Sequence, residues 1–155
     1  MISHNQQNIR VGILDVTGRM GQMLVQACLN AGLNITVATA RVASAAIGHE
    51  LGQYLNLAPL NVLISDRLED VIQHCDVVID FTTAEALSQH LKICQHAKKP
   101  MIIGITGLSE QLNQHIAQAA QNIAIVHSGN YSIGVNLSID LVRVAAQLLG
   151  TDFEA

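Results

Sequence analysis

The sequence has no tryptophan and only two tyrosines and two phenylalanines among its 155 residues. Proteins that bind single-stranded nucleic acid stack bases on aromatic side chains and hold the phosphates in basic grooves. Here 8 Lys and Arg stand against 12 Asp and Glu, which gives a formal net charge of −4. The shortage of aromatic and basic residues therefore argues against a nucleic-acid partner.

Long apolar runs are also missing. No run reaches the about 18 residues that a bilayer-spanning helix needs, and the polar start MISHNQQNIR lacks the apolar core of a signal peptide. The three cysteines, Cys28, Cys75 and Cys94, are odd in number and form no CxxC pair. Such cysteines are typical of reduced, buried thiols. We therefore expect a cytoplasmic protein with no membrane partner.

What the sequence does contain is a regular alternation of apolar segments. Half of the residues are hydrophobic and 13% are charged, which indicates one folded domain rather than a disordered chain. The hydrophobic periodicity separates strand-like runs from helical ones. It predicts strands over 9–16, 34–40, 61–66, 76–82, 101–107 and 123–129, helices over 21–32, 67–75, 84–99, 110–122 and 136–150, and a segment of ambiguous structure over 42–60.

Strands that alternate with helices and are rich in Val and Ile predict a parallel sheet with helices on both faces. Right-handed crossovers favour the doubly wound α/β (Rossmann) arrangement, with the strand order 3-2-1-4-5-6. We divide the chain into a flexible leader (1–8), a dinucleotide-binding domain (9–150) and the start of a connection to a further domain (151–155). In this fold ligands bind beyond the carboxyl ends of strands 1 and 4.

The loop after the first strand, ILDVTGRMGQ (13–22), has the spacing of a phosphate-binding turn. Gly18 would let the backbone approach a pyrophosphate, and Gly21 would let the helix pack closely on the strand. The amides of Arg19 and Met20 would then point at the phosphates. An ordinary tight turn is the alternative. Asp15 occupies a position where such a loop has another glycine.

The stretch ATARVAS at the end of the second strand has no acid and carries Arg41. An acid at this point normally binds the ribose hydroxyls of NAD, whereas an arginine accommodates the 2′-phosphate of NADP. The sequence therefore favours NADPH, with NADH as the alternative cofactor. The competing interpretation is that Arg41 is an ordinary solvated surface residue.

The ends of the later strands carry further candidates for a dinucleotide site. Asp80 is equally well explained as a ligand or as an acid that caps its own loop. Small and polar side chains beyond strands 4, 5 and 6 would contact the cofactor or simply form turns. These candidates are Phe81, Thr82, Gly104, Thr106, Ser128, Gly129, Asn130 and Tyr131.

Nothing in the sequence predicts a catalytic residue or a metal ligand. No histidine pair has metal-ligand spacing with carboxylate or thiol support, and neither a nucleophile elbow nor a Walker loop is present. We expect His74, His90, His96 and His115 on helix surfaces. His127, at the end of the sixth strand, is the histidine nearest the expected crevice, and we do not expect it to be catalytic.

Four segments resemble, in order and spacing, the nucleotide-binding domain of the dihydrodipicolinate reductase family: IRVGILDVTGRMGQ, VVIDFTTAEALSQHL, MIIGITG and IAIVHSGNYSIGVN. The resemblance extends from about residue 9 to residue 150. Members reduce a cyclic dihydrodipicolinate-type imine with hydride from NADH or NADPH, in diaminopimelate and lysine biosynthesis. The resemblance implies that Gly18, Arg19 and Met20 line the pyrophosphate and that Arg41 meets a 2′-phosphate. It also implies that 104–106 and 128–131 flank the nicotinamide.

Four departures from the family pattern stand out. Asp15 replaces the first glycine of the loop, and Ala40 replaces the acid common for NADH. Ile105 replaces a threonine within the cofactor loop, so one hydroxyl contact is lost there. Family members also continue into a substrate domain with E-x-H-H-x-x-K and P-S-G-T motifs, which holds the acid–base histidine and lysine and builds the oligomer. The 155 residues contain neither motif.

The sequence thus supports three hypotheses. The first is the cofactor-binding half of a dihydrodipicolinate reductase, which acts on a small-molecule substrate in the complete enzyme and is inactive alone. The second is a degenerate, non-catalytic nucleotide-binding module or remnant, which Asp15 and Ile105 favour. The third and weakest is another two-domain NAD(P)-dependent dehydrogenase, such as a homoserine-dehydrogenase-like enzyme, against which NYSIGVN argues. Without a substrate domain apolar surface would be exposed, so we expect some homo-oligomerisation.

Overall fold

A computed structural model describes residues 8–150, so most of the predicted leader (1–8) and the predicted connection (151–155) lie outside the described residues. Six parallel strands form one sheet in the order β3-β2-β1-β4-β5-β6. The strands are β1 Arg10–Ile13, β2 Asn34–Thr39, β3 Ile64–Ser65, β4 Val77–Asp80, β5 Met101–Ile103 and β6 Ile125–His127. The doubly wound α/β fold and its predicted strand order are confirmed.

The helices are α1 Arg19–Asn30, α2 Leu51–Tyr54, α3 Leu68–Val71 with a following 3-10 turn Ile72–His74, α4 Ala84–Ala97, α5 Glu110–Ala119 and α6 Ile133–Leu149. The strands are shorter than predicted, because the apolar runs continue past the paired residues into the loops. The predicted start of the last helix at 136 was wrong, because Ser132 caps α6 by accepting from the Val135 amide at 3.4 Å. The predicted start of α5 is correct, with Ser109 accepting from the Leu112 amide.

The core consists of two hydrophobic clusters, one on each face of the sheet. Helices α1 and α2 cover one face through residues such as Val25 and Leu51. Helices α3, α4 and α5 cover the other. All three cysteines are buried and unpaired, as predicted. Burial raises the pKa of the Cys94 thiol to about 12, so this thiol stays protonated and unreactive near neutral pH.

Helix α6 lies apart from this core, with none of its residues buried. Its polar residues at three- and four-residue spacing, Asn136, Asp140, Arg143 and Gln147, form one stripe along the helix. The rest of its circumference is mostly apolar, and Leu148, for example, is 83% exposed. Large exposed apolar surfaces are typical of sites that bind another protein, a membrane or a ligand. Among residues 8–150 no helix has the length and apolar character that a membrane span requires.

A bidentate ion pair joins the amino ends of β1 and β4 at the centre of the sheet. Arg10 Nη2 lies 2.6 Å from Asp76 Oδ1, and Arg10 Nε donates to Asp76 Oδ2 at 3.1 Å. The Arg10 backbone amide also donates to that carboxylate, at 2.9 Å. These hydrogen bonds lower the pKa of Asp76 from 3.8 to about 2.

Replacing Asp76 with asparagine is expected to lower the free energy of unfolding at neutral pH. Because the folded-state pKa lies below the ordinary value, the carboxylate stabilises the fold above pH 3.8, and this contribution disappears as the pH falls to about 2. The difference between the parent and Asp76→Asn should therefore shrink through that window. Urea unfolding at several pH values measures it. The exposed Asp70→Asn variant is the control, and an unchanged difference down to pH 2 would contradict the expectation.

Candidate functional site

Two cavities open beyond the carboxyl ends of β1, β2 and β4. The first, the glycine-loop cavity, has a volume of about 460 Å³ and is lined by Asp15, Gly18, Arg19, Met20, Gly21, Met23 and Phe81. The second, the β2–β4 cavity, has a volume of about 250 Å³ and lies between the loop after β2, the start of α3 and the first turns of α4. Asp15 lines both. This is the switch point of the sheet, where doubly wound folds bind ligands.

The glycine-loop cavity is built around the first turn of α1. Gly18 is the residue before the helix, and its amide donates to the Asp15 carbonyl at 3.2 Å. Arg19 and Met20 open the helix and have exposed side chains. The first amides of a helix have no carbonyl partner within it and carry its positive dipole end. The cavity therefore has the backbone chemistry of an anion site.

Gly21 is required by how closely α1 approaches the end of β1. A Cβ atom on Gly21 would lie 2.1 Å from the Asp15 carbonyl oxygen and 2.8 Å from Val16 Cα. A Cβ on Gly18 would meet Asp15 at 3.5 Å, which is ordinary van der Waals contact. The two glycines thus have different roles: Gly21 permits the packing, and Gly18 leaves space in the cavity.

Asp15 adopts a left-handed backbone conformation, with φ of 52°, which Asp tolerates better than most residues. Its Oδ1 accepts a hydrogen bond from the Thr17 hydroxyl at 2.7 Å. Its Oδ2 lies 3.6 Å from Arg41 Nε, across the gap to the end of β2. The acid therefore pairs with Arg41 at the wall shared by the two cavities.

Arg41 is the one Lys or Arg side chain among the described residues that line the β2–β4 cavity. The Arg41 side chain is 79% exposed and pairs with Asp15, so solvent surrounds most of it. Ala40, at the position where an acid would bind ribose hydroxyls, is buried. Two further acids, Asp66 and Glu69, line the same cavity. The β2–β4 cavity thus combines one exposed cation with several carboxylates.

The end of β4 is organised by a fully buried acid. Asp80 Oδ1 accepts from the Thr82 amide at 3.0 Å and from the Thr82 hydroxyl at 2.6 Å. Asp80 Oδ2 lies 2.7 Å from His90 Nδ1. The interpretation of Asp80 as an acid that caps its loop is confirmed. The bond to His90 additionally fixes the ring that lines the β2–β4 cavity.

The expected surface position of His90 was wrong, because its side chain is only 19% exposed. The spacing of apolar residues around His90 already indicated that its side chain is partly buried. His90 follows Leu87 by three residues and precedes Cys94 by four, and both of those side chains are buried. Residues at these spacings share one helix face, so a histidine there turns toward the sheet. Its partner is then the acid at the end of β4.

The residues beyond β5 contact those beyond β4. A Cβ on Gly104 would lie 2.1 Å from the Phe81 ring, so the backbone passes directly against that ring. Phe81 in turn packs on Tyr131, with ring centroids 5.5 Å apart. The Tyr131 hydroxyl donates to the Ile103 carbonyl at 3.1 Å, and burial raises the pKa of this phenol. The ends of β4, β5 and β6 are thereby joined.

The side chains of the loops 104–106 and 128–131 point in different directions. Ile105 is buried in the core and Thr106 is exposed. Ser128 Oγ accepts from the Asn130 amide at 3.2 Å, and Asn130 Oδ1 accepts from the Ser132 amide at 2.9 Å. These polar groups hold the turn that leads into α6.

The structure therefore arranges the predicted residues in three groups. Gly18, Arg19, Met20, Gly21 and Phe81 share the glycine-loop cavity, and Arg41 and Thr82 share the β2–β4 cavity. Residues 104–106 and 128–131 line neither cavity and stand beyond the adjacent strands β5 and β6. Within residues 8–150 no group of three His, Cys, Asp or Glu residues is placed to hold a metal ion.

The chain is similar in sequence to known proteins over most of its length. Residues 9–131 match the family model described as dihydrodipicolinate reductase, N-terminus. A 4-hydroxy-tetrahydrodipicolinate reductase from Acinetobacter baumannii is 41% identical over 141 residues, covering 91% of this chain and 52% of the relative. The reductase of the same name from Psychrobacter arcticus is 40% identical over 149 residues, covering 96% of this chain and 54% of the relative.

A solved structure agrees with these relatives. The dipicolinate-bound dihydrodipicolinate reductase from a Paenisporosarcina species superposes with a TM-score of 0.68 at 27% identity, covering 89% of this chain and 53% of that one. The chain thus spans about half the length of the curated relatives it matches.

Proposed function

The chain belongs to the dihydrodipicolinate reductase family, and on that premise we propose that it is the NAD(P)H-binding half of a 4-hydroxy-tetrahydrodipicolinate reductase. The observation that carries the proposal is the pair of cavities that meet at Asp15. One has the first turn of a helix at its wall, which suits a pyrophosphate, and the other has Arg41. Such a pair suits a dinucleotide, whose anionic centre and adenosine end need adjoining sites.

In this proposal each loop has a distinct task. The first amides of α1, at Arg19 and Met20, bind the pyrophosphate, while Gly18 leaves it room. The adenosine occupies the β2–β4 cavity beside Thr82. The nicotinamide lies toward Phe81 and the loops 104–106 and 128–131, among them Gly104, Ile105, Thr106, Ser128, Gly129, Asn130 and Tyr131. When bound, the cofactor supplies a hydride, and this half of the enzyme positions it.

Arg41 supports a preference for NADPH over NADH. Its forked donors suit a ribose 2′-phosphate, and Ala40 offers no carboxylate for ribose hydroxyls. The exposure of the guanidinium leaves it free to reach a phosphate on the ribose. NADH remains the alternative cofactor.

The substrate chemistry belongs to the complete enzyme. The resemblance assigns the acid–base histidine and the lysine to a substrate domain, and the 155 residues do not contain that motif. We therefore infer that the small-molecule substrate is reduced only in the presence of that domain. The exposed apolar surface of α6 supports contact with such a domain or with a second copy. Three unpaired thiols support a reducing, cytoplasmic location.

The test is calorimetric titration of the 155-residue chain with NADPH and with NADH. We expect saturable binding of both, tighter for NADPH, and no reduction of dihydrodipicolinate. Arg41→Ala should weaken NADPH binding by about tenfold and leave NADH binding nearly unchanged. Arg143→Ala, an exposed arginine on α6, is the matched control.

Failure of both dinucleotides to bind at millimolar concentration would refute the proposal. It would support the second candidate, a degenerate remnant of the domain, which the acid at position 15 favours. NADPH-dependent turnover by the isolated chain would refute the division of labour between the two halves.

A further inference from the structure

Asp15 lies where the β2–β4 cavity meets the glycine-loop cavity, because it lines both. A dinucleotide that occupies the two cavities must pass this residue between its adenine and its pyrophosphate. The group that connects those two parts is the adenosine ribose. The carboxylate of Asp15 is therefore placed beside the sugar whose 2′-substituent distinguishes NADH from NADPH.

Doubly wound folds that bind NAD normally use an acid at the end of the second strand to accept hydrogen bonds from this ribose. Here that position is Ala40, whose side chain has no acceptor. Asp15 offers a carboxylate in the wall of the same cavity, from the neighbouring strand end. Its Oδ2 lies 3.6 Å from the Nε of Arg41, the residue that follows Ala40.

We propose that Asp15 contacts the adenosine ribose and, together with Arg41, determines the relative affinity for NADH and NADPH. The inference rests on the proposed function, since it requires that a dinucleotide binds. With NADH, Asp15 accepts hydrogen bonds from the ribose hydroxyls while Arg41 remains paired with it. With NADPH, the 2′-phosphate competes for Arg41 and places a like charge close to the carboxylate. Asp15 thus narrows the NADPH preference that Arg41 creates.

The two partners differ in their freedom to move. The Asp15 side chain is 22% exposed and is held by the Thr17 hydroxyl. The Arg41 side chain is 79% exposed. A phosphate therefore draws Arg41 away from an acid that stays in place, and the repulsion between phosphate and acid remains. Carboxylates in doubly wound NAD sites discriminate by the same combination of acceptance and repulsion.

Asp15→Asn is the sharpest variant, because Asn also tolerates the left-handed backbone conformation and keeps the size of the side chain. We expect the ratio of the NADH to the NADPH dissociation constant to rise by about tenfold, with NADPH bound more tightly and NADH more weakly. Asp15→Gly should raise the ratio in the same direction. Asp140→Asn, in the exposed ion pair with Arg143 on α6, lines neither cavity and serves as the matched control, with an expected change below about twofold.

Calorimetric titration of each variant with both dinucleotides measures the ratio. If both bind and Asp15→Asn leaves the ratio unchanged, the inference fails while the proposed function stands. An equal shift for Asp140→Asn would also overturn it, since the change would then follow from the loss of any acid and not from the carboxylate at position 15. If neither dinucleotide binds to any of the proteins, the proposed function fails and this inference fails with it.

Discussion

Gly21→Ala is expected to lower the free energy of unfolding by about 3 kcal/mol and to abolish dinucleotide binding. The added methyl group would sit 2.1 Å from the Asp15 carbonyl oxygen. These backbone atoms cannot move aside as the end of a flexible side chain can, so α1 would have to shift away from β1. That shift would carry the first amides of the helix out of position. Urea unfolding followed by circular dichroism measures the stability, because the chain has no tryptophan.

Gly18→Ala is the matched control for this prediction. Its Cβ would make ordinary contacts at 3.5 Å, and its backbone angles, φ of −73° and ψ of 158°, suit any residue. Stability should stay within about 1 kcal/mol of the parent, while dinucleotide affinity should fall because the methyl group fills part of the cavity. Equal stability losses for the two variants would contradict the separate roles assigned to these glycines.

Asp80→Ala should also cost about 3 kcal/mol of stability. The carboxylate is fully buried and accepts hydrogen bonds from the Thr82 amide and hydroxyl. Its removal leaves these donors, and His90 Nδ1, without the partner that satisfies them and leaves a void where the buried carboxylate was. Because Thr82 and His90 both line the β2–β4 cavity, dinucleotide affinity should fall together with stability.

Two controls separate the causes. Asp80→Asn keeps the size and one acceptor oxygen for Thr82, so it should lose only about 1–2 kcal/mol. Asp70→Ala removes an exposed acid of α3, whose ion pair with Arg67 is open to solvent, and should change stability by less than about 0.5 kcal/mol. If Asp80→Ala lowers the free energy of unfolding no more than Asp70→Ala does, the contacts of Asp80 with Thr82 and His90 do not organise the site.

Gly21 and Asp80 act on neighbouring parts of the candidate site. Gly21 allows α1 to approach β1 closely. Asp80 holds the loop that follows β4, the strand next to β1 in the sheet. Asp15 and Arg41 meet in the space between β1 and β2. A dinucleotide site at this switch point therefore depends on backbone spacing as much as on the side chains that would touch the ligand.

Much of the fold and part of the candidate site could be predicted from the sequence. The alternation of Val- and Ile-rich runs with helical periods predicts the doubly wound sheet and its strand order, because parallel strands and right-handed crossovers leave few arrangements. The spacing of Gly18 and Gly21 marks the turn before α1. The odd number of cysteines, with no CxxC pair, indicates buried thiols. Each of these features is local, or follows from a rule that applies to the whole fold class.

The ends of the helices and strands were predicted less accurately. The predicted helix start at 136 missed the Ser132 cap, and the strands end earlier than their apolar runs. Pairing with a neighbouring strand decides where a strand ends, and a local hydrophobic pattern does not contain that information.

The sequence by itself determined the fold class, the family and the position of the glycine loop. Only the tertiary structure decided which distant side chains meet. It turned His90 inward to the buried Asp80, joined Phe81 to Tyr131, and placed Asp15 against Arg41, 26 residues away in the chain. The physical reason is that parallel strands bring their carboxyl ends to one edge of the sheet. Residues far apart in the chain become neighbours there, and each gains a hydrogen-bond, ionic or ring partner that its own segment does not reveal.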